Sequence, residues 1–225
     1  MKGIVFSFKK SDVQANSIRG FRLSEVRYFF KRYGIRVMFV GLILIGLAAG
    51  SVYARNADSQ MLSSLDFLFT TNLEARMAHN FAGTFCACFT SDFIFVFSIY
   101  LLGLAPWGIP IMLLAVLFKG FGTGITAGYL FIANSLAGVG FYLLVLLPGT
   151  FLFCIALVLF STSAFEFSKE LFFATVGKNL PKHPLRRGFA NLSSRLLSAL
   201  IMTFCASLLD TALWTLFAGR SEERR

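Results

Sequence analysis

One apolar run with a lysine inside it limits what this chain can fold into. Residues 109–132 read IPIMLLAVLFKGFGTGITAGYLFI, long enough to cross a bilayer, with Lys119 near the middle. A spanning helix needs about 20 apolar residues, and a charge at its centre is costly. Glycines follow at 120, 124 and 128, with a further one at 122. Small residues at every fourth position let a second helix approach closely. The pattern predicts a helix inside a bundle, with Lys119 turned to a partner or a polar cavity.

The rest of the composition agrees. The 225 residues are 56% hydrophobic and 14% charged, and 28 are Phe. Mean hydropathy is +0.72. A water-soluble domain cannot hide so much apolar surface, so the bilayer is the expected solvent. About 30 polar and basic residues precede the first apolar run, and no small-residue cleavage site follows a short core, so a secretory leader is not expected.

A net charge of +10 suggests nucleic acid, but its distribution argues against that. Nine Lys/Arg lie within residues 2–36 and six more within 169–195. Both blocks flank apolar segments, as the positive-inside rule requires, and both suit an anionic cytoplasmic leaflet.

Five spans are predicted, at about 33–54, 91–106, 109–132, 139–162 and 192–217. They divide the chain into a basic cytoplasmic segment (1–32), an integral domain (33–218) and a charged tail (219–225). The fold class is all-α, a polytopic membrane helix bundle with short interfacial helices. Residues 24–34 read as a surface helix with Ser24 as N-cap. Residues 55–79 form an external loop. The 80–107 region divides into an outer interfacial helix at 76–90 and a short span, which puts Asp92 at the water boundary. A short uncharged link, 134–138, joins the third and fourth spans. Pro148 and Gly149 fall at the midpoint of the fourth and predict a kink. The piece FEFSKELFFATVG reads as another interfacial helix. The N-terminus is then cytoplasmic and the tail external, although Arg220, Arg224 and Arg225 oppose that placement.

Asp210, inside the last span, is the favoured partner for Lys119, because an ion pair offsets the desolvation each suffers alone. Asp92 is the alternative, reachable if the spans tilt. The glycine series reads as helix packing, with Thr123 and Thr126 bonding within or across the helix; which helix it meets is not legible. The four cysteines read as structural: Cys154 and Cys205 lie in apolar runs, and Cys86-x-Cys88 is not a zinc spacing. His79 and His183 fall on opposite sides of the membrane. No G-x-S-x-G or H-E-x-x-H motif occurs, and G-F-G-T-G does not follow a strand as a phosphate-binding fingerprint requires. No catalytic, cofactor-binding or metal-binding residue is expected, and no cofactor.

The run LLGLAPWGIPIMLLAVLFKGFGTGITAGYLF, the later LLVLLPG and the basic block after AFEFSKELF together resemble the stage II sporulation protein M (SpoIIM) family. The resemblance covers roughly residues 80–220, and the first span fits it. It implies a multi-spanning cell-membrane protein without catalytic activity, a scaffold holding extracytoplasmic peptidoglycan hydrolases for septal wall remodelling during engulfment. Lys119, Gly120, Gly124, Gly128 and Pro148 match family positions as structural residues, and Asp92 falls where a polar residue recurs. The implied partners are those hydrolases and the lipid bilayer; homo-oligomers stay open. The alternative reading is a transporter or permease-like subunit built on Lys119, Asp210 and the broken span.

Overall fold

Lipid offers backbone N–H and C=O groups no partners, so a chain this apolar must satisfy them within each segment. The computed structural model, which describes residues 14–56, 81–176 and 185–222, meets this requirement with helices throughout. They are α1 (Gln14–Asn56), α2 (Phe81–Leu104), α3 (Gly108–Phe141), a π-helical turn (Tyr142–Leu146), α4 (Leu147–Thr175) and α5 (Leu185–Glu222). Within them, five segments are long and apolar enough to cross a membrane: Tyr33–Asn56, Phe81–Leu104, Gly108–Ile132, Tyr142–Thr175 and Arg186–Phe217. The fold is the expected all-α membrane bundle. Exposed large apolar side chains such as Leu44, Val52, Leu114, Phe151 and Leu197 cover its outside, the surface that lipid would solvate.

The segment boundaries differ from the sequence reading in four places. Residues 81–104 form one helix, not an outer interfacial helix joined to a short span from 91. Asp92 does not break it, because Lys119 of the next helix supplies its partner, and Ser91 stays helical although its buried hydroxyl has no hydrogen-bond partner among the described residues. The piece from Phe165, read as a separate interfacial helix over 165–177, continues α4 without a break as far as Thr175. Helix α5 begins at Leu185 and runs into the tail. Most of the basic N-terminal segment belongs to α1. The external loop at 57–79, His79 and His183 lie outside the described residues.

Neighbouring contacts fix the helix directions. Lys119 lies against Phe153, while Leu130 clusters with Tyr142 and Leu146, so α3 and α4 run antiparallel and the chain reverses between Leu130 and Tyr142. Residues 134–138, read from sequence as a short link, are helical and belong to α3. The backbone irregularity expected at Pro148 falls just ahead of it, in the π-helical turn 142–146. Proline has no N–H to donate, so the ladder must shift there.

The closest helix pair is α1 with α3. A Cβ at Gly120 would come within 2.9 Å of Ile43 Cα, and one at Gly124 within 2.8 Å of the Leu47 carbonyl carbon. One at Gly128 would meet Ala54 Cβ at 2.7 Å. From the other side, a Cβ at Gly46 would fall 2.8 Å from Phe121 N and one at Gly50 2.9 Å from Ile125 N. Real Cβ atoms do not approach this closely, so glycines on both helices set the seam. Positions 43, 47 and 54 advance in step with 120, 124 and 128, so α1 and α3 are parallel. Van der Waals packing of this kind drives association where lipid removes the hydrophobic incentive. Gly34 and Gly41 take no part, having nothing within 4 Å of a built Cβ.

The other helices close around this pair. Helices α2 and α4 run parallel: Gly103 sits under Ala164, Ser168 Oγ donates to the Ala105 carbonyl at 2.7 Å, and Trp107 meets Phe172 edge-on at 5.9 Å. Helix α5 runs antiparallel to both, with Phe204 against Phe85 and Phe89 and Tyr100 bonded to Ser193. Phe39, Val96, Ile99, Met112, Val116, Phe153, Leu157 and Phe160 form the central core.

This geometry predicts that Gly124→Leu destabilises the protein by about 1–3 kcal/mol, as forced overpacking does. Gly41→Leu, against open space, should change stability by less than about 0.5 kcal/mol. Thermal unfolding of the two purified variants in detergent measures the difference.

Candidate functional site: a closed intramembrane polar centre

Helices α2, α3, α4 and α5 each send polar groups to one small cavity. It is lined by Asp92, Lys119, Thr123, Gly149, Thr150, Phe153, Cys154, Ala206, Ser207 and Asp210, and its volume is about 30 Å³. A cavity needs about 10–15 Å³ for each water, so two or three would fill it.

Lys119 Nζ donates to Asp92 Oδ1 at 2.7 Å, with the two side chains 10% and 17% exposed. The ammonium also lies over two rings, 4.9 Å from the centroid of Phe95 and 4.7 Å from that of Phe153. A desolvated cation over an aromatic face gains about 2 kcal/mol. An isolated lysine at the centre of a spanning helix costs about 2.5–3.5 kcal/mol on insertion scales. Carboxylate and rings together are therefore of the right size to offset that cost.

The sequence-predicted polar residues thus meet, but not as first paired. Asp92 is the carboxylate in direct contact, and Asp210 is buried in the wall of the same cavity. The reason is the continuity of α2. Because residues 81–104 are one helix, Asp92 stands midway along it and not at a water boundary, so the alternative partner is the one within reach. Gly149 shares this cavity, and Pro148 leads into it from the π-helical turn. Gly120, Gly124 and Gly128 lie instead on the face of α3 that meets α1.

Gly149 brings α4 onto α5. A Cβ there would stand 2.7 Å from Asp210 Cβ and 3.1 Å from the Ala206 carbonyl oxygen. The hydroxyls nearby are used locally: Thr123 donates to the Lys119 carbonyl at 2.8 Å, and Thr150 to that of Leu146 at 2.9 Å. Such back-bonds keep threonine satisfied inside a helix. Ser207 Oγ, fully buried, has no hydrogen-bond partner.

Sequence reasoning missed Phe95, Phe153, Thr150, Cys154 and Ser207. For the last, a signal existed. Thr203, Ser207, Asp210 and Thr211 recur at spacings of three and four, one polar stripe on an otherwise apolar helix. Among the described residues, no group of three or more His, Cys, Asp or Glu side chains is arranged to hold a metal. Cys86 and Cys205 are exposed on the apolar surface, Cys88 is buried, and none is in a disulfide.

Five apolar helices around an ion-paired centre define a multi-pass helical membrane protein. The chain belongs to the stage II sporulation protein M (SpoIIM) family, which it matches over residues 38–214, most of its length and all five spanning segments in whole or large part. No curated protein and no solved structure matches it.

Close approach at Gly149 predicts that Gly149→Leu pushes α5 away and disrupts the cavity. The variant should lose about 1–3 kcal/mol of stability, read as a lowered unfolding temperature in detergent, whereas Cys205→Ala on the exposed face should not.

Proposed function

We propose that this protein is a non-catalytic membrane scaffold that anchors extracytoplasmic peptidoglycan hydrolases for septal wall remodelling during engulfment. The observation that carries the reading is membership of the stage II sporulation protein M family over residues 38–214. The packing supports it: a glycine seam that admits no Cβ and a lysine held by a carboxylate and two rings suit a rigid platform. In this reading the N-terminus is cytoplasmic, and the segment that joins α1 to α2, residues 57–80, lies on the outer side and meets the hydrolases.

One observation favours a transporter or permease-like subunit instead. Lys119, Asp92 and Asp210 surround a cavity beside an interrupted helix, and buried charges with broken helices mark substrate paths. A cavity of about 30 Å³ has room for little more than water, which weighs against it.

Cross-linking in native membranes, followed by isolation of the tagged protein, separates the two. The scaffold predicts recovery of membrane-anchored peptidoglycan hydrolases, retained in a folded Lys119→Met variant and lost when residues 57–79 are replaced by a neutral linker. Recovery of a nucleotide-binding ATPase or other permease subunits, dependent on Lys119, would contradict it.

A further inference from the structure

A second and larger cavity lies between α4 and α5, at the end of the bundle that carries the 169–195 basic block. Its volume is about 440 Å³, and its charged lining is Glu166 and Glu170 from α4 and Arg187 and Arg195 from α5. Phe167 and Leu192 form an apolar floor, both buried. Gly188 allows that floor, since a Cβ there would meet the Phe167 ring at 2.8 Å. Arg195 donates to Ser163 Oγ, a buried hydroxyl, which fixes its guanidinium at the wall. Among the described residues, no carboxylate–guanidinium pair closes across this space.

We propose that this cavity binds a zwitterionic ammonium–phosphate group, the headgroup of phosphatidylethanolamine. Two guanidinium groups can take a phosphate through fork-shaped charge-assisted bonds. Two carboxylates facing the same space can take the primary ammonium, which a glycerol headgroup lacks. The apolar floor suits the glycerol and first acyl carbons. Depth supports a lipid as the source. Phe153 marks the level of the polar centre, and at 1.5 Å per residue Ser163 lies about 15 Å along α4 from it and Glu166 about 20 Å. The hydrocarbon half-thickness is about 15 Å, with headgroups just beyond. The 34 and 32 residues of the last two apolar segments exceed the roughly 20 needed to cross, so their surplus reaches the headgroup layer.

The test uses the purified full chain in detergent, stripped of lipid and titrated with short-chain phosphatidylethanolamine or phosphatidylglycerol, with native mass spectrometry counting bound lipid. The expected result is at least tenfold tighter binding of phosphatidylethanolamine. Glu166→Gln with Glu170→Gln should abolish that preference, and Arg187→Gln should weaken both lipids. All three side chains are exposed, so these variants should fold, and an unchanged unfolding temperature checks that they do. Free phosphoethanolamine competing at equal concentration would keep the ammonium–phosphate chemistry but make a soluble molecule the source, overturning the lipid assignment. Equal binding of the two lipids by the wild type, or a preference surviving both Glu changes, would overturn the proposal itself.

Discussion

A lysine in the middle of a lipid-embedded helix must be neutralised, and much of this bundle is arranged around that need. Lys119 draws on three other helices: α2 gives Asp92 and Phe95, α4 gives Phe153, and α5 closes the cavity with Ser207 and Asp210. None of these contacts is local in sequence. Each requires its helix at the right depth and rotation, so the pair acts as a register for the bundle. A buried ion pair is weak evidence for stability in itself, because desolvation offsets most of the attraction. Its effect is on which arrangement is tolerated: any packing that strands Lys119 in lipid bears the full cost of the charge.

The glycine seam performs the complementary task on the opposite face of α3. Five glycines, two on α1 and three on α3, bring backbones to distances that any Cβ would prevent. That leaves α3 clamped to α1 on one side and tied by its lysine to α2 and α4 on the other. The parallel run of α1 with α3 and of α2 with α4, with α5 antiparallel to the second pair, is what alternating up-and-down spans require.

Much of this was legible from the sequence. Hydropathy marked five spans, and the spacing of Gly120, Gly124 and Gly128 identified a packing face. The glycines could not reveal their partner, since Gly34, Gly41, Gly46 and Gly50 of the first span look alike in sequence and only the last two touch α3. The choice between Asp92 and Asp210 failed for a different reason. It rested on depths counted from assumed span ends, and reading Ser91-Asp92 as a break moved Asp92 to the surface. The cavity between α4 and α5 was hidden likewise, because treating 165–177 as a separate interfacial helix detached Glu166 and Glu170 from Arg187 and Arg195.

The most direct test of the central claim is a double-mutant cycle on Lys119→Met and Asp92→Leu, read by unfolding free energy in detergent. If Lys119 is held by Asp92, each single change strands a charge and costs about 3–5 kcal/mol. The double variant should then lose less than the sum, with a coupling of about 1–3 kcal/mol. Additive losses would contradict the account, because they would mean that the two groups stabilise the bundle independently and that the ion pair does not set its register.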